Sequence, residues 1–314
     1  MKRLLLKSYF VVFILLSAFA AVFPQNDSAP QMRQGFQYLQ SENFSSAVNT
    51  FSGILRSEPN NAQARLGLAI ALIGIEKFAD ASREIAKLLA RSPKDAKLLE
   101  MAAQSFWQQK RFAEAEKILK RRVDLGDETS EILALYGDVL DAQKKTIEAV
   151  SAYEKAVQLN PNSINYRYAL GSLYWKQFRY ADSEREYLEI LRREPNEPRV
   201  SFNLGDIYLT NGEAEKAVPF LENSLKAFPN EFDTRFALGR AYLAVKKFSQ
   251  AIEQFEIAVK LRPEIAEGFY QLGLALQRMG RREESKIALK KAKDLQDAKR
   301  DSETTPIVKN PNPK

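Results

Sequence analysis

Residues 161–208 read PNSINYRYALGSLYWKQFRYADSEREYLEILRREPNEPRVSFNLGDIY, and within them the chain repeats itself. Pro161 and Pro195, Gly171 and Gly205, and Tyr174 and Tyr208 each stand 34 residues apart. Small and large apolar residues recur at i, i+3, i+4 and i+7, the spacing of one helix face. A proline closes each period, where its ring and missing N–H stop a helix. The stretch reads as two short helices per 34 residues.

The period extends through most of the chain. Pro59, Pro93, Pro161, Pro195, Pro229 and Pro263 lie on it, and the one missing member is Asp127, in Leu125-Gly126-Asp127. A frame laid from Ser28 gives eight repeats, beginning at 28, 62, 96, 130, 164, 198, 232 and 266. Its eighth position reads Gly35, Ala69, Ala103, Gly137, Gly171, Gly205, Gly239 and Gly273, and its twentieth is always Ala or Ser. Its eleventh is always large, from Tyr38 to Leu276. Positions 4, 7, 8 and 11 would share one face of a first helix, and 20, 24 and 27 one face of a second. Small residues at 8 and 20 let the backbones approach, while large ones at 11 and 24 fill the space around them. Asn60-Asn61 and Asn162-Ser163 stand where they can cap the next first helix.

These residues resemble the tetratricopeptide-repeat (TPR) family, whose consensus is close to Tyr168-Ala169-Leu170-Gly171 and Phe202-Asn203-Leu204-Gly205. The resemblance implies an all-α fold, a right-handed superhelical solenoid of about eight helix-turn-helix repeats, with first helices lining a concave groove. It further implies a scaffold that binds peptides or protein segments. Residues 28–299 form the repeat domain and 300–314, with three prolines, a disordered tail. Gln31 and Gln34 mark repeat 1 as the N-terminal cap, and the charged final helix as the C-terminal one. Asp127 in place of Pro and Arg122 at position 27 make the junction of repeats 3 and 4 the expected weak point.

The ends carry most of the rest. Lys2, Arg3 and Lys7 precede an uncharged run, Ser8 to Phe23, with Ala18-Phe19-Ala20 and Pro24 after it, the pattern of a signal peptide over residues 1–25. The alternative is an inner-membrane anchor formed by residues 8–23. Either reading makes the chain exported, periplasmic or secreted in the first case. The formal net charge is +7, yet residues 26–280 hold 34 basic and 34 acidic side chains. A neutral body lacks the basic footprint of a nucleic-acid binder. With no cysteine and no histidine, most nucleophiles, general bases and metal ligands are missing. No catalytic residue, metal site or cofactor is expected.

The candidate site is therefore a partner-binding groove on positions 5, 9 and 12. Tyr168, Phe202, Phe236 and Tyr270 repeat at position 5, and Trp107 and Trp175, the two tryptophans, stand at position 12. Asp206 and Arg240 at position 9 could set the register of a bound segment. Aromatics at position 5 could equally pack against the next repeat. The resemblance also brings a carboxylate-binding pattern of Lys, Asn and Arg, which this chain does not carry beyond Asn203. The function expected is a non-enzymatic protein-binding scaffold of the cell envelope. The partner is a protein or peptide segment, not nucleic acid, and the membrane only through an uncleaved leader. The alternative is a self-associating structural protein, a homo-oligomer.

Overall fold

The computed structural model describes residues 28–304, and its helices follow the frame closely. First helices begin at Ala29, Ala62, Ala96, Ser130, Ile164, Pro198, Phe232 and Ala266, and each is followed by a second helix. Among the described residues there are sixteen helices and no strand. The chain is an all-α solenoid of eight helical hairpins. It divides into two compact units, repeats 1–4 up to Asn162 and repeats 5–8 from Ser163. The expected leader, and the tail from residue 305 on, lie outside the described residues. The last helix runs from Arg282 to Thr304, so residues 300–304 continue it rather than open the tail.

The contact that closes each hairpin joins position 8 to position 24. A Cβ on Gly239 would lie 2.6 Å from the Phe255 ring, one on Gly137 2.5 Å from Tyr153, and one on Gly171 2.7 Å from Tyr187. Those rings are buried, and every aromatic at position 24 faces a glycine at position 8. Where position 8 is alanine, at Ala69 and Ala103, position 24 is aliphatic, Ile85 and Leu119, and all four are fully buried. No repeat places alanine at position 8 opposite an aromatic ring, which close packing would not admit, though glycine also faces leucine at Gly205–Leu221 and Gly273–Leu289. At position 20, Ser183 and Ser285 replace alanine without leaving a buried hydroxyl unpaired. Each donates to the carbonyl of the position-8 glycine in its own repeat, at 2.8 Å.

The turn inside each hairpin bends through the left-handed region at position 15. Glycine fills it only at Gly212 and Gly280, while Glu42, Glu76, Lys110, Lys144, Phe178 and Lys246 adopt positive φ there. First helices are capped at position 34: Asn61, Asp95, Thr129 and Ser163 each accept the N–H three residues on.

Two sequence expectations change. Position 4 is not simply apolar, for Arg65, Arg167 and Arg235 stand there. Each reaches position 23 of its own second helix, at Glu84, Glu186 and Gln254. Arg65 and Arg235 also donate to the carbonyl of the proline ending the previous repeat. They staple hairpins from within. The end of repeat 3, where the proline is missing, is held by contacts within that repeat. Arg122 is buried and donates to the Asp127 carboxylate through Nε at 2.9 Å, with Glu100 3.5 Å away. Gly126, at φ 83°, turns the chain where proline is missing. The two departures from the repeat are one interaction.

Candidate functional site

In repeats 5–8, positions 5, 9 and 12 lie along the first helices, with position 5 at the border of the face packed on the second helices. Here Trp175 of repeat 5, Asp206 of repeat 6 and Arg240 of repeat 7 come together. Both Trp175 and Arg240 stand close enough to the Asp206 carboxyl to favour its charged form. Burial pushes the Asp206 carboxyl above the usual carboxylate range, against the opposing pull of Arg240 and Trp175. Trp175 is 43% exposed and Arg240 is exposed, while Asp206 is half-buried beneath them. Three consecutive repeats thus present an indole, a carboxylate and a guanidinium as one polar centre.

The aromatic series at position 5 is less open than its spacing implied. Tyr168, Phe202 and Phe236 are half-buried and pack on the hydrophobic core of this unit. Tyr168 lies 5.9 Å from the Tyr187 ring, and Phe236 stacks on Phe232 at 5.5 Å and meets Phe255 at 5.9 Å. Asn203 donates to the Tyr187 hydroxyl at 3.0 Å and lies 3.5 Å from that of Tyr168, tying repeats 5 and 6. Arg199 covers the Tyr168 ring from 5.4 Å. Of the series only Tyr270, at 42%, counts as exposed. In place of a continuous open stripe, the face has two exposed aromatics, Trp175 and Tyr270, over a floor of half-buried ones.

Trp107 belongs to repeats 1–4, where it is half-buried and packs on Phe112 at 5.1 Å. That unit has groove positions of its own that a search for aromatics missed. Leu66, Ile70 and Ile73 occupy positions 5, 9 and 12 of the helix Ala62–Gly74 and are half-buried. Beyond Gln63 and Arg65 this helix carries only apolar residues, and that lack of a polar face was the available signal. In repeat 4 the same surface turns acidic. Asp138 accepts from the Tyr153 hydroxyl, and burial raises its carboxyl, with Asp141 adding to the effect. A second signal, the ladder of Tyr208 to Glu184 and Tyr242 to Glu222, at 2.6 Å each, links neighbouring repeats on the other face. Burial and those carboxylates push both phenols well up. No group of His, Cys, Asp and Glu suited to a metal ion occurs among the described residues. No helix among them is long and apolar enough to cross a membrane.

Models described as "Tetratricopeptide repeat" match residues 38–104, 168–232 and 266–299, and one described as "TPR repeat" matches 137–177 and 239–280. Among curated proteins none matches the sequence. Among solved structures, MamA MSR-1 is 25% identical, with a TM-score of 0.50 over 54% of this chain and 98% of that one. MamA from Desulfovibrio magneticus RS-1 is 20% identical, with a TM-score of 0.52 over 54% and 96%. YrrB, titled a TPR protein with an unusual peptide-binding site, is 21% identical, with a TM-score of 0.52 over 57% and 92%. The repeats, their packing and these likenesses agree: the chain belongs to the tetratricopeptide-repeat family, a family of protein-interaction scaffolds.

Proposed function

We propose that repeats 5–8 hold a segment of a partner protein along the first helices, and that the chain serves as a non-enzymatic scaffold of the cell envelope. The observation that carries this reading is the Trp175–Asp206–Arg240 centre. A half-buried carboxylate whose charge is opposed by its own burial is costly to keep for stability alone, and here an indole and an exposed guanidinium stand within its electrostatic reach. It is suited to fixing the register of a bound chain, since the exposed groups can still exchange partners with peptide amides and charges. Trp175 and Tyr270 supply the rigid aromatic anchors that dominate interface energetics. Half-buried Tyr168, Phe202 and Phe236 then act as a floor that excludes water. The basic start and apolar run of residues 1–25 support export as the route to the envelope.

A peptide library selected on the wild-type chain supplies ligands whose affinity can be measured by calorimetry. Trp175→Ala and Arg240→Ala should each weaken the selected peptides by about tenfold or more, as truncated anchors do, with helicity unchanged. Selected peptides that bind both variants with wild-type Kd would remove repeats 5–8 from the binding surface.

A further inference from the structure

The turn of repeat 5 has a composition that neither the fold nor the groove explains. Residues 174–180 read Tyr-Trp-Lys-Gln-Phe-Arg-Tyr, aromatics alternating with cations. Phe178 stands at position 15 with φ 60° and is 78% exposed. Its equivalents in the same left-handed turn are glycine, lysine or glutamate. A bulky apolar residue there meets both the backbone cost of that region and the cost of hydration. Trp175 is one turn away and also exposed.

Within repeats 5–8 these hairpin turns share one edge, as Ser249 at the start of a second helix in repeat 7 shows by meeting Met279 in the turn of repeat 8, at 3.7 Å. Met279 is 47% exposed. In the same two turns stand exposed Lys246 and Lys247 from repeat 7 and exposed Arg278 and Arg282 from repeat 8, while Arg281 is paired with Glu284 and Glu283 stands close by in the sequence. Repeat 6 contributes Gly212, a Lys216–Glu213 pair and exposed Glu215, net acidic by one charge. Exposed apolar side chains thus stand in the first and last of these turns, on an edge with a net excess of cations concentrated in repeats 7 and 8.

We propose that this edge rests on an anionic lipid surface, with Phe178 and Met279 entering the headgroup layer and the lysines and arginines facing lipid phosphates. Aromatic rings flanked by Lys and Arg are the residues that settle at a membrane–water interface. Cations near an anionic leaflet add attraction that falls away within a Debye length. The proposal goes beyond the groove reading, because the groove lies on another face of the first helices and needs no lipid.

The absence of cysteine from the sequence makes the test direct. Phe178→Cys in the full chain, labelled with an environment-sensitive fluorophore, reports on the turn, and a label at Glu264→Cys reports on the opposite edge. Vesicles of phosphatidylglycerol with phosphatidylcholine should shift the residue-178 label to the blue and expose it to spin-labelled lipid, leaving the residue-264 label in water. Vesicles of phosphatidylcholine alone still take up the apolar leader but lack the charge, and should leave both labels unshifted. Lys246→Glu with Arg278→Glu should weaken the response about tenfold or more, at roughly a factor of five per reversed charge. Equal response of both labels, or equal response in the two vesicle types, would overturn the proposal. So would a blue shift at residue 178 that needs no vesicles and grows with protein concentration, which would put a second copy on this edge.

Discussion

Replacing glycine by alanine at two helix-interior positions should have opposite effects, and the sign is set by what faces the new methyl group. Gly53 lies in the second helix of repeat 1, Phe44–Ser57, is exposed, and has nothing within 4 Å of an added Cβ. Gly53→Ala should therefore gain the helix-propensity difference, about 0.5–1 kcal/mol. Gly239 has the same helical backbone, but its Cβ would lie 2.6, 2.8 and 2.9 Å from three atoms of the Phe255 ring. That ring is fully buried and itself meets Phe236, so it has little room to retreat. Overpacking of this kind costs about 1–3 kcal/mol. Set against the same propensity gain, Gly239→Ala should be net destabilising by roughly 0–2 kcal/mol. Urea midpoints followed by circular dichroism measure both. The double variant Gly239→Ala with Phe255→Leu copies the native pair Ala103 and Leu119, which is fully buried in repeat 3. It should show a favourable coupling of about 1 kcal/mol relative to the two single changes. Midpoints that rise equally for Gly53→Ala and Gly239→Ala would refute the account of position 8, as would a double variant that is merely additive.

Three further outcomes follow from the same contacts. Asp127→Asn removes the charge facing buried Arg122 and should cost about 1–3 kcal/mol, softened by Glu100, whereas Asp127→Asn with Arg122→Met should recover most of it; an additive double variant in urea melts would count against the pairing. Lys144→Gly places glycine at a φ of 62° and should raise the midpoint by about 0.5–1 kcal/mol, an effect absent if the turn is not left-handed. Asp138 is held above the ordinary carboxylate range by burial, so the folded chain keeps this proton to higher pH than the unfolded chain does. Stability carried by this group therefore falls as pH rises from the ordinary carboxylate range through the raised folded value, and Asp138→Asn should be more stable than wild type at neutral pH. That advantage should vanish on acidification below the carboxylate range, and thermal melts showing a constant difference across pH would contradict it.

The repeat itself was legible in the sequence because its determinants are local and recur. Proline every 34 residues, small residues at positions 8 and 20 and large ones at 11 and 24 state a hairpin eight times, and helices begin within a residue of the frame. Period also assigns each side chain an angular position on its helix, which is why Trp175, Asp206 and Arg240 could be chosen together. What periodicity does not carry is how much of a given face the neighbouring helix covers. Phe202 and Phe236 share the angle of Tyr270 but not its exposure, because each is flanked by a following repeat and Tyr270 stands in the last one. Long flexible side chains escape the pattern for a related reason. Arg65, Arg167 and Arg235 find partners 19 residues away, and Arg122 finds Asp127 across a turn that the repeat does not predict. Their reach and fork geometry let them satisfy a buried charge through partners that only the packed helices bring near. Sequence determined the hairpins and their register; the tertiary structure decided which polar groups are paired and which aromatic rings stay in water, because both depend on the desolvation imposed by neighbouring repeats.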